Sequence, residues 1–184
     1  MEKNLGRTSI RRADREVTDE SWIRSFLQKV PSGVVGTAID NHPFLTNILF
    51  VYDEDRNSIY FHTNRLGRLK TNIETNPHVC LTVTSMGRLL PADVALEFSV
   101  EYASVVIFGK AGIAEDPQYG LELLMDKYFP HLTAGQDYRP ITAGELLRTS
   151  VFELVIEEWS AKKKTAEPDY PGALQFPSID PQLI

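Results

Sequence analysis

Cysteine is nearly absent from this 184-residue chain, in which Cys80 is the one thiol. A single cysteine closes no intrachain disulfide and builds no Cys-x-x-Cys zinc site. That fits a reducing, cytoplasmic setting. Cys80 lies in the apolar run HVCLTVT and reads as a small buried hydrophobe. Basic charge is also scarce: Lys and Arg number 19 against 25 Asp and Glu, giving a net charge of -6. Broad nucleic-acid binding needs the opposite balance, so any anion site must be local. No apolar run approaches the roughly 20 residues needed to cross a bilayer. The stretch MEKNLGRTSIRRADRE has no apolar segment of the kind that marks a signal peptide. GxSxG, HExxH, GxxxxGKS/T and GxGxxG are all missing, which removes the common hydrolase and nucleotide-loop readings. His42, His62, His78 and His131 offer no pair at metal-ligand spacing, so no metal site is expected.

What is present suits one domain with a real core: 42% hydrophobic and 24% charged residues. Residues 1–17 are polar and basic and read as a surface arm. TDESWIRSFLQKV reads as a helix, with Thr18 or Asp19 as cap and Trp22, Ile23, Phe26, Leu27 and Val30 on one face. Residues 34–39, 44–53 and 58–63 are rich in β-branched and aromatic side chains. Short turns join them, which predicts an antiparallel meander. Residues 66–76 have helical spacing, and 78–86 return to a strand. The segment 87–97 reads as a loop. A long strand or bent pair spans 98–115, with Gly109 and Gly112 as bulge candidates. A helix follows over 116–132, with Asp116 at its cap and Pro117 at its first position. TAGELLRT reads as a short helix, and 150–161 as the last strand. The Pro-rich tail after it suits wrapping a surface or a partner. No βαβ alternation and no repeat period is present, and the total of about six strands favours a small barrel or sandwich.

One stretch stands out against the acidic background. YFHTNRLGRLKTNIETNP, residues 60–77, holds Arg65, Arg68 and Lys70 between a strand end and a helix start, with no acid among them. Free N–H groups at a helix start, a Thr63 hydroxyl and the Arg68 and Lys70 cations suit a phosphate. Charge alone leaves this open between an anion site and a solvated basic loop. Alternation along the strand puts Tyr60 and His62 on one face, with Ile59 and Phe61 on the other. Thr46 and Asn47 form a polar pair inside the apolar strand PFLTNILF, and must be satisfied if buried. They read either as a solvent-facing pair on an edge strand or as groups lining a ligand. Trp159 and the run Lys162, Lys163, Lys164 end the last strand.

RRADREVTD, PFLTNILFVYD, IYFHTNRLGRLKTNIETNP, FSVEYASVVIFGKAGIAED and FELVIEEWSAKK follow one another in this order. The ordered set resembles FMN-binding split-barrel proteins related to pyridoxamine 5'-phosphate oxidase, and is most similar to the nitroimidazole-resistance (Nim-like) subgroup. It covers roughly residues 8–163. The resemblance implies a mainly β fold with α additions: a six-stranded antiparallel split β-barrel of Greek-key type. It divides the chain into an arm (1–17), an FMN-binding barrel (18–163) and a Pro-rich tail (164–184). It implies a homodimer with FMN in a cleft at the interface. His62, Thr63, Arg68 and Lys70 then stand on the phosphate side, Thr46 and Asn47 along the ring or ribityl chain. Trp159 and Lys162 approach from the closing strand. The function implied is that of an FMN-dependent oxidoreductase passing electrons from a donor such as NAD(P)H to a nitroaromatic or quinone-like acceptor, with His62 as the candidate catalytic residue. The alternative is a non-catalytic flavin module, or a barrel adapted to FAD, haem or a deazaflavin. Two departures matter. Leu69 separates Arg68 from Lys70, where many relatives have adjacent Arg-Lys. The Arg-x-His ending of true pyridoxamine phosphate oxidases is absent after Trp159.

Overall fold

The structure, a computed structural model, describes residues 6–177. Residues 1–5 of the arm and 178–184 of the tail lie outside the described residues. Helix α1 (Glu20–Lys29) starts where the Asp19 carboxylate accepts from the amides of Ser21 and Trp22, at 2.9 and 3.3 Å. It buries Ile23 and Leu27. Strands β1 (Gly33–Ile39) and β2 (His42–Ile48) form a hairpin across Asp40 and Asn41. Both turn residues have positive φ, 49° and 62°, the backbone that a two-residue hairpin loop demands.

β3 (Phe50–Asp53) and β4 (Ser58–Asn64) pair next, followed by α2 (Arg68–Thr75), β5 (His78–Leu90) and β6 (Ser99–Ile113). Then come α3 (Pro117–Tyr128), α4 (Ala143–Leu146), β7 (Thr149–Lys164) and the two-residue β8 (Leu174–Gln175). The main strands pair antiparallel in the order β2-β1-β5-β6-β7-β4-β3. The fold is an antiparallel split β-barrel, open between β2 and β3. The run 44–53 therefore behaves differently from one meander strand. It breaks at Leu49, and its halves sit at opposite edges of the sheet. The break lets one apolar run border the split from both sides.

A second difference lies at 87–97, which reads as a loop in the sequence. β5 instead continues to Leu90, with a register shift between Met86 and Leu89, and a single 3-10 turn covers Ala95–Glu97. The extension is held by side chains. Arg88 forks onto Glu101 at 2.8–2.9 Å and also donates to the carbonyls of Ala166, Glu167 and Pro168. Glu101 accepts from the Ala166 amide at 2.9 Å, so one ion pair ties the tail to β5 and β6. These bonds favour the charged carboxylate and lower its pKa from 4.5 to about 2, the Arg88 bonds contributing most. A depressed carboxylate pKa stabilises the tail contact above pH 4.5, and that contribution is lost as pH falls toward 2. An NMR titration of the Ala166 amide is expected to show a midpoint near pH 2. A midpoint at the ordinary 4.5 would remove the clamp.

The barrel core holds Leu27, Val35, Phe50, Phe61, Leu81 and Phe152, each with no exposed surface. α1 and α2 close it with Ile23, Leu27, Leu69 and Ile73. α3 packs elsewhere, on the outer side of β3, β4 and β7, where Leu124 meets Val51, Tyr60 and Val151. β4 therefore has a different neighbourhood on each face: Ile59 and Phe61 enter the barrel, while Tyr60 lies under α3. The outward face of β1, β2, β5 and β6 is covered by no apolar helix face among the described residues. It presents Val34, Leu45, Cys80, Met86, Val106 and Phe108, with Leu45 67% and Met86 55% exposed.

Candidate functional site

α2 begins at Gly67, whose φ of 155° suits glycine and whose missing side chain leaves open space. Among the described residues no side chain caps the helix start, so its first amides are available to an incoming anion. Arg68 opens the helix. It is exposed, and its guanidinium lies 4.9 Å from the centre of the Phe44 ring. None of the ion pairs among the described residues uses Arg65 or Arg68. Leu69 turns into the core, 4% exposed, and sets the phase of the helix. Lys70 pairs with Glu74 one turn on. The two cations thus part: Arg68 faces β2, and Lys70 is engaged along its own helix. Asn72 anchors α2 by donating to the Thr37 hydroxyl at 2.8 Å, with both residues buried.

Phe44 and Thr46 share one face of β2. Thr46 stands opposite Val35, and the same cross-strand row continues through Leu81 and Ile107 to Trp159. The Thr46 hydroxyl is buried and has no hydrogen-bond partner among the described residues. Such an orphan costs roughly 1–3 kcal/mol unless a ligand or water satisfies it. β2 is an edge strand, so one side of its backbone lacks a strand partner. Asn47 points the other way, onto the open outer face, and is exposed. Thr63 shares the inward side of β4 with Phe61 and stands opposite Ser150.

Three of the predicted residues lie apart from this group. His62 faces outward with Tyr60 and lines a cavity of roughly 380 Å³ beside Leu121, Leu124, Met125, Tyr138, Arg139, Ile141, Glu145 and Thr149. Partial burial pushes its pKa below the usual imidazole value, which favours the neutral ring at pH 7. Trp159 faces inward but is occupied within the chain: Arg24 covers its ring at 5.3 Å, and Tyr52 meets it edge-on at 6.5 Å. Lys162 stands opposite Ser104 on the outer face, with a backbone bridge from β7 to Glu16 of the arm. The structure brings together Thr46, Phe44, Arg68 and the start of α2. It places His62 in a separate cavity. Phe44 carried no signal as the platform for Arg68, because its partner is set by α2 docking rather than by spacing. Tyr138, Arg139 and Glu145 were equally silent. The capping box of Thr142 with Glu145, and the fork from Arg139 to Glu145 at 2.8–3.1 Å, fold that segment onto itself, and the Thr149 hydroxyl of β7 donates to the Glu145 carbonyl at 3.0 Å.

Comparison with known proteins agrees with this architecture. The model of the pyridoxamine 5'-phosphate oxidase family matches residues 19–163. A flavocytochrome from Azotobacter vinelandii is similar at 27% identity and a TM-score of 0.79, over 96% of this chain and 89% of that one. An FAD and haem binding protein from Mycobacterium smegmatis shares the fold at 22% identity and a TM-score of 0.76, over 91% and 89% of the two chains. A candidate 5-nitroimidazole antibiotic resistance protein from Bacteroides thetaiotaomicron shares it at 18% identity and a TM-score of 0.66, over 80% and 86%. No curated protein matches the chain.

Proposed function

The chain belongs to the pyridoxamine 5'-phosphate oxidase family, and from that premise we propose that it is a flavin-binding oxidoreductase. The observation that carries this is the uncapped start of α2, with the unpaired Arg68 beside it and the orphaned Thr46 hydroxyl on the neighbouring strand. These groups fit a phosphorylated flavin. The α2 amides and the Arg68 fork would hold the phosphate, a planar donor set matched to its oxygens. The Thr46 hydroxyl and the unpaired edge of β2 would hydrogen-bond polar groups of the ribityl chain or the ring edge. Thr63 adds a hydroxyl on the same side of β4. One helix start with one arginine, Arg68, opening it favours FMN, with its single phosphate, over FAD. A bound flavin supplies redox chemistry that no side chain here offers. The chain's own part is to anchor, orient and shield it.

The donor proposed is NAD(P)H, and the acceptor a small nitroaromatic or quinone-like compound, in keeping with the likeness to a candidate nitroimidazole resistance protein. The apolar outer face of β1, β2, β5 and β6 is proposed to meet a second copy. It borders the cleft at Asn47, and the partner would then complete the flavin site. The missing disulfide capacity suits a cytoplasmic protein, and no helix among the described residues is long and apolar enough to cross a membrane.

A second reading is favoured by the cavity at His62. Two fold relatives are described as a flavocytochrome and as an FAD and haem binding protein. A haem beside the flavin would make this chain a flavin–haem redox protein. The absorption spectrum of the purified dimer tests the main reading. We expect flavin bands at about one FMN per chain, bleached by NAD(P)H and restored by a nitro compound. Colourless protein that takes up no flavin would overturn it. Bound flavin that NAD(P)H leaves oxidised would mark a non-catalytic module.

A further inference from the structure

We propose that the buried hydrogen bond from Asn72 to Thr37 determines which flavin the site accepts. It holds the Arg68 fork and the α2 amides at the phosphate position, and so selects the phosphorylated flavin over riboflavin. This deepens the flavin reading above and rests on it. Three observations carry it. The first is a closed circuit of contacts. The Asn72 side-chain amide donates to the Thr37 hydroxyl at 2.8 Å, and Thr37 stands opposite Phe44 in the β1–β2 register. The Thr37 hydroxyl in turn donates to the Phe44 carbonyl at 3.4 Å, a long bond. The Phe44 ring carries the Arg68 guanidinium 4.9 Å from its centre, and Arg68 precedes Asn72 by one helical turn. Arg68, Phe44, Thr37 and Asn72 therefore fix one another's places. An independent sign of a ligand lies beside the circuit. The Thr46 hydroxyl oxygen, two residues beyond Phe44 on the same face of β2, is buried without a partner among the described residues.

The second observation is burial. Asn72 and Thr37 are 6% and 4% exposed, which is rare for polar side chains. A pair sealed from water is strong, and either member is costly to orphan. The third is what the rest of the docking lacks. Leu69 and Ile73 bury the neighbouring stripe of α2 in the core. Such apolar contacts fix the depth of the helix, but they have no direction and let it turn or slide. A hydrogen bond has a preferred length and angle, so the Asn72 bond sets the rotation of α2 about its axis. Asn76, one turn further on, adds a second grip on β1 by donating to the Ala38 carbonyl at 3.0 Å. A binding constellation must be held to within about 0.5 Å, which a helix free to turn does not achieve. Asn72 and Thr37 act through Arg68 and the α2 amides, and are positioning residues.

The test compares FMN with riboflavin by fluorescence quenching on the full-length protein, because the two ligands differ only by the phosphate. We expect the wild type to prefer FMN. Asn72→Leu and Thr37→Val, each close in size to the residue replaced, should weaken FMN binding roughly tenfold and leave riboflavin within about twofold, the FMN loss being the low end of losing the Arg68 bond itself. Thr37→Ser keeps the hydroxyl and should restore the preference for FMN. The double variant Asn72→Leu/Thr37→Val leaves no orphaned partner, so its Tm should return toward that of the wild type while the preference stays lost. Losses that fall equally on FMN and riboflavin would overturn the proposal, since a purely structural role moves both. So would a preference for FMN that survives in both single variants, with the flavin reading left standing. A wild-type protein that binds the two flavins equally would overturn the proposal and leave flavin binding itself intact. A wild-type protein that binds neither would sink the proposal and the flavin reading together.

Discussion

Replacing Arg68 by alanine is expected to weaken FMN binding roughly 10- to 150-fold. The figure follows from one charge-assisted hydrogen bond of about 1.5–3 kcal/mol at about 1.4 kcal/mol per decade. The effect should be large because no other cation in the segment is placed to substitute. Lys70 is tied to Glu74, and Arg65 precedes the helix start. Lys70→Ala should therefore change FMN affinity less than threefold or so, and Arg68→Lys should recover part of the loss as a point charge without the fork. Fluorescence quenching of FMN reads all three affinities. Equal affinity in wild-type and Arg68→Ala proteins would remove Arg68 from the site. A larger loss in Lys70→Ala than in Arg68→Ala would reverse the assignment of the two cations. Folding is a small concern, since Arg68 is exposed and its one aromatic contact, Phe44, is itself only half-buried.

How much of this was legible follows from the range of each signal. Helix caps were read correctly because they are local. Asp19 and Asp116 accept from amides two to three residues on. Alternation at Tyr60 and His62 was also local: it put both on one face, and the structure packs α3 against Tyr60 on that face. The split was not legible. PFLTNILFVYD has the composition of one strand, and only the pairing of β2 with β1 and of β3 with β4 shows that its halves part at Leu49. The site was half legible. The basic turn and Thr46 stood out as charge and polarity out of place. The contact of Arg68 with Phe44 crosses from α2 to β2 and depends on Leu69 and Asn72 docking the helix. His62 was grouped with the phosphate residues by the family resemblance. In a strand, adjacent residues face opposite ways, so His62 and Thr63 stand on opposite faces of β4.

The same alternation makes Gly109 the position where a small change should cost most. Leu154 and Ile156 of β7 face the core, and strict alternation would turn Trp159 and Ala161 to solvent. They are instead packed against the core, because β7 carries one extra residue. Phe108 pairs with Glu158 and Gly109 with Ile156, leaving Glu157 unpaired in a bulge. A Cβ on Gly109 would collide with the Val155 carbonyl oxygen and would lie 2.9 Å from a Leu154 methyl. Backbone cannot rotate away as a side chain can, so Gly109→Ala must open the bulge or shift the register. We expect a loss of about 3 kcal/mol or more, the upper end for overpacking, and a Tm lower by roughly 6–12 °C for a chain of this size. Trp159 should move with it: its ring, now held between Arg24 and Tyr52, would lose that cover, and tryptophan emission should shift to the red. Gly112, three residues on, is the control. Its Cβ would meet nothing within 4 Å, so Gly112→Ala should stay within about 0.5 kcal/mol of wild type. If both variants melt together with unchanged emission, the bulge does not depend on a glycine at 109. Another contact must then hold Trp159 inward, the Arg24 guanidinium being the first to test.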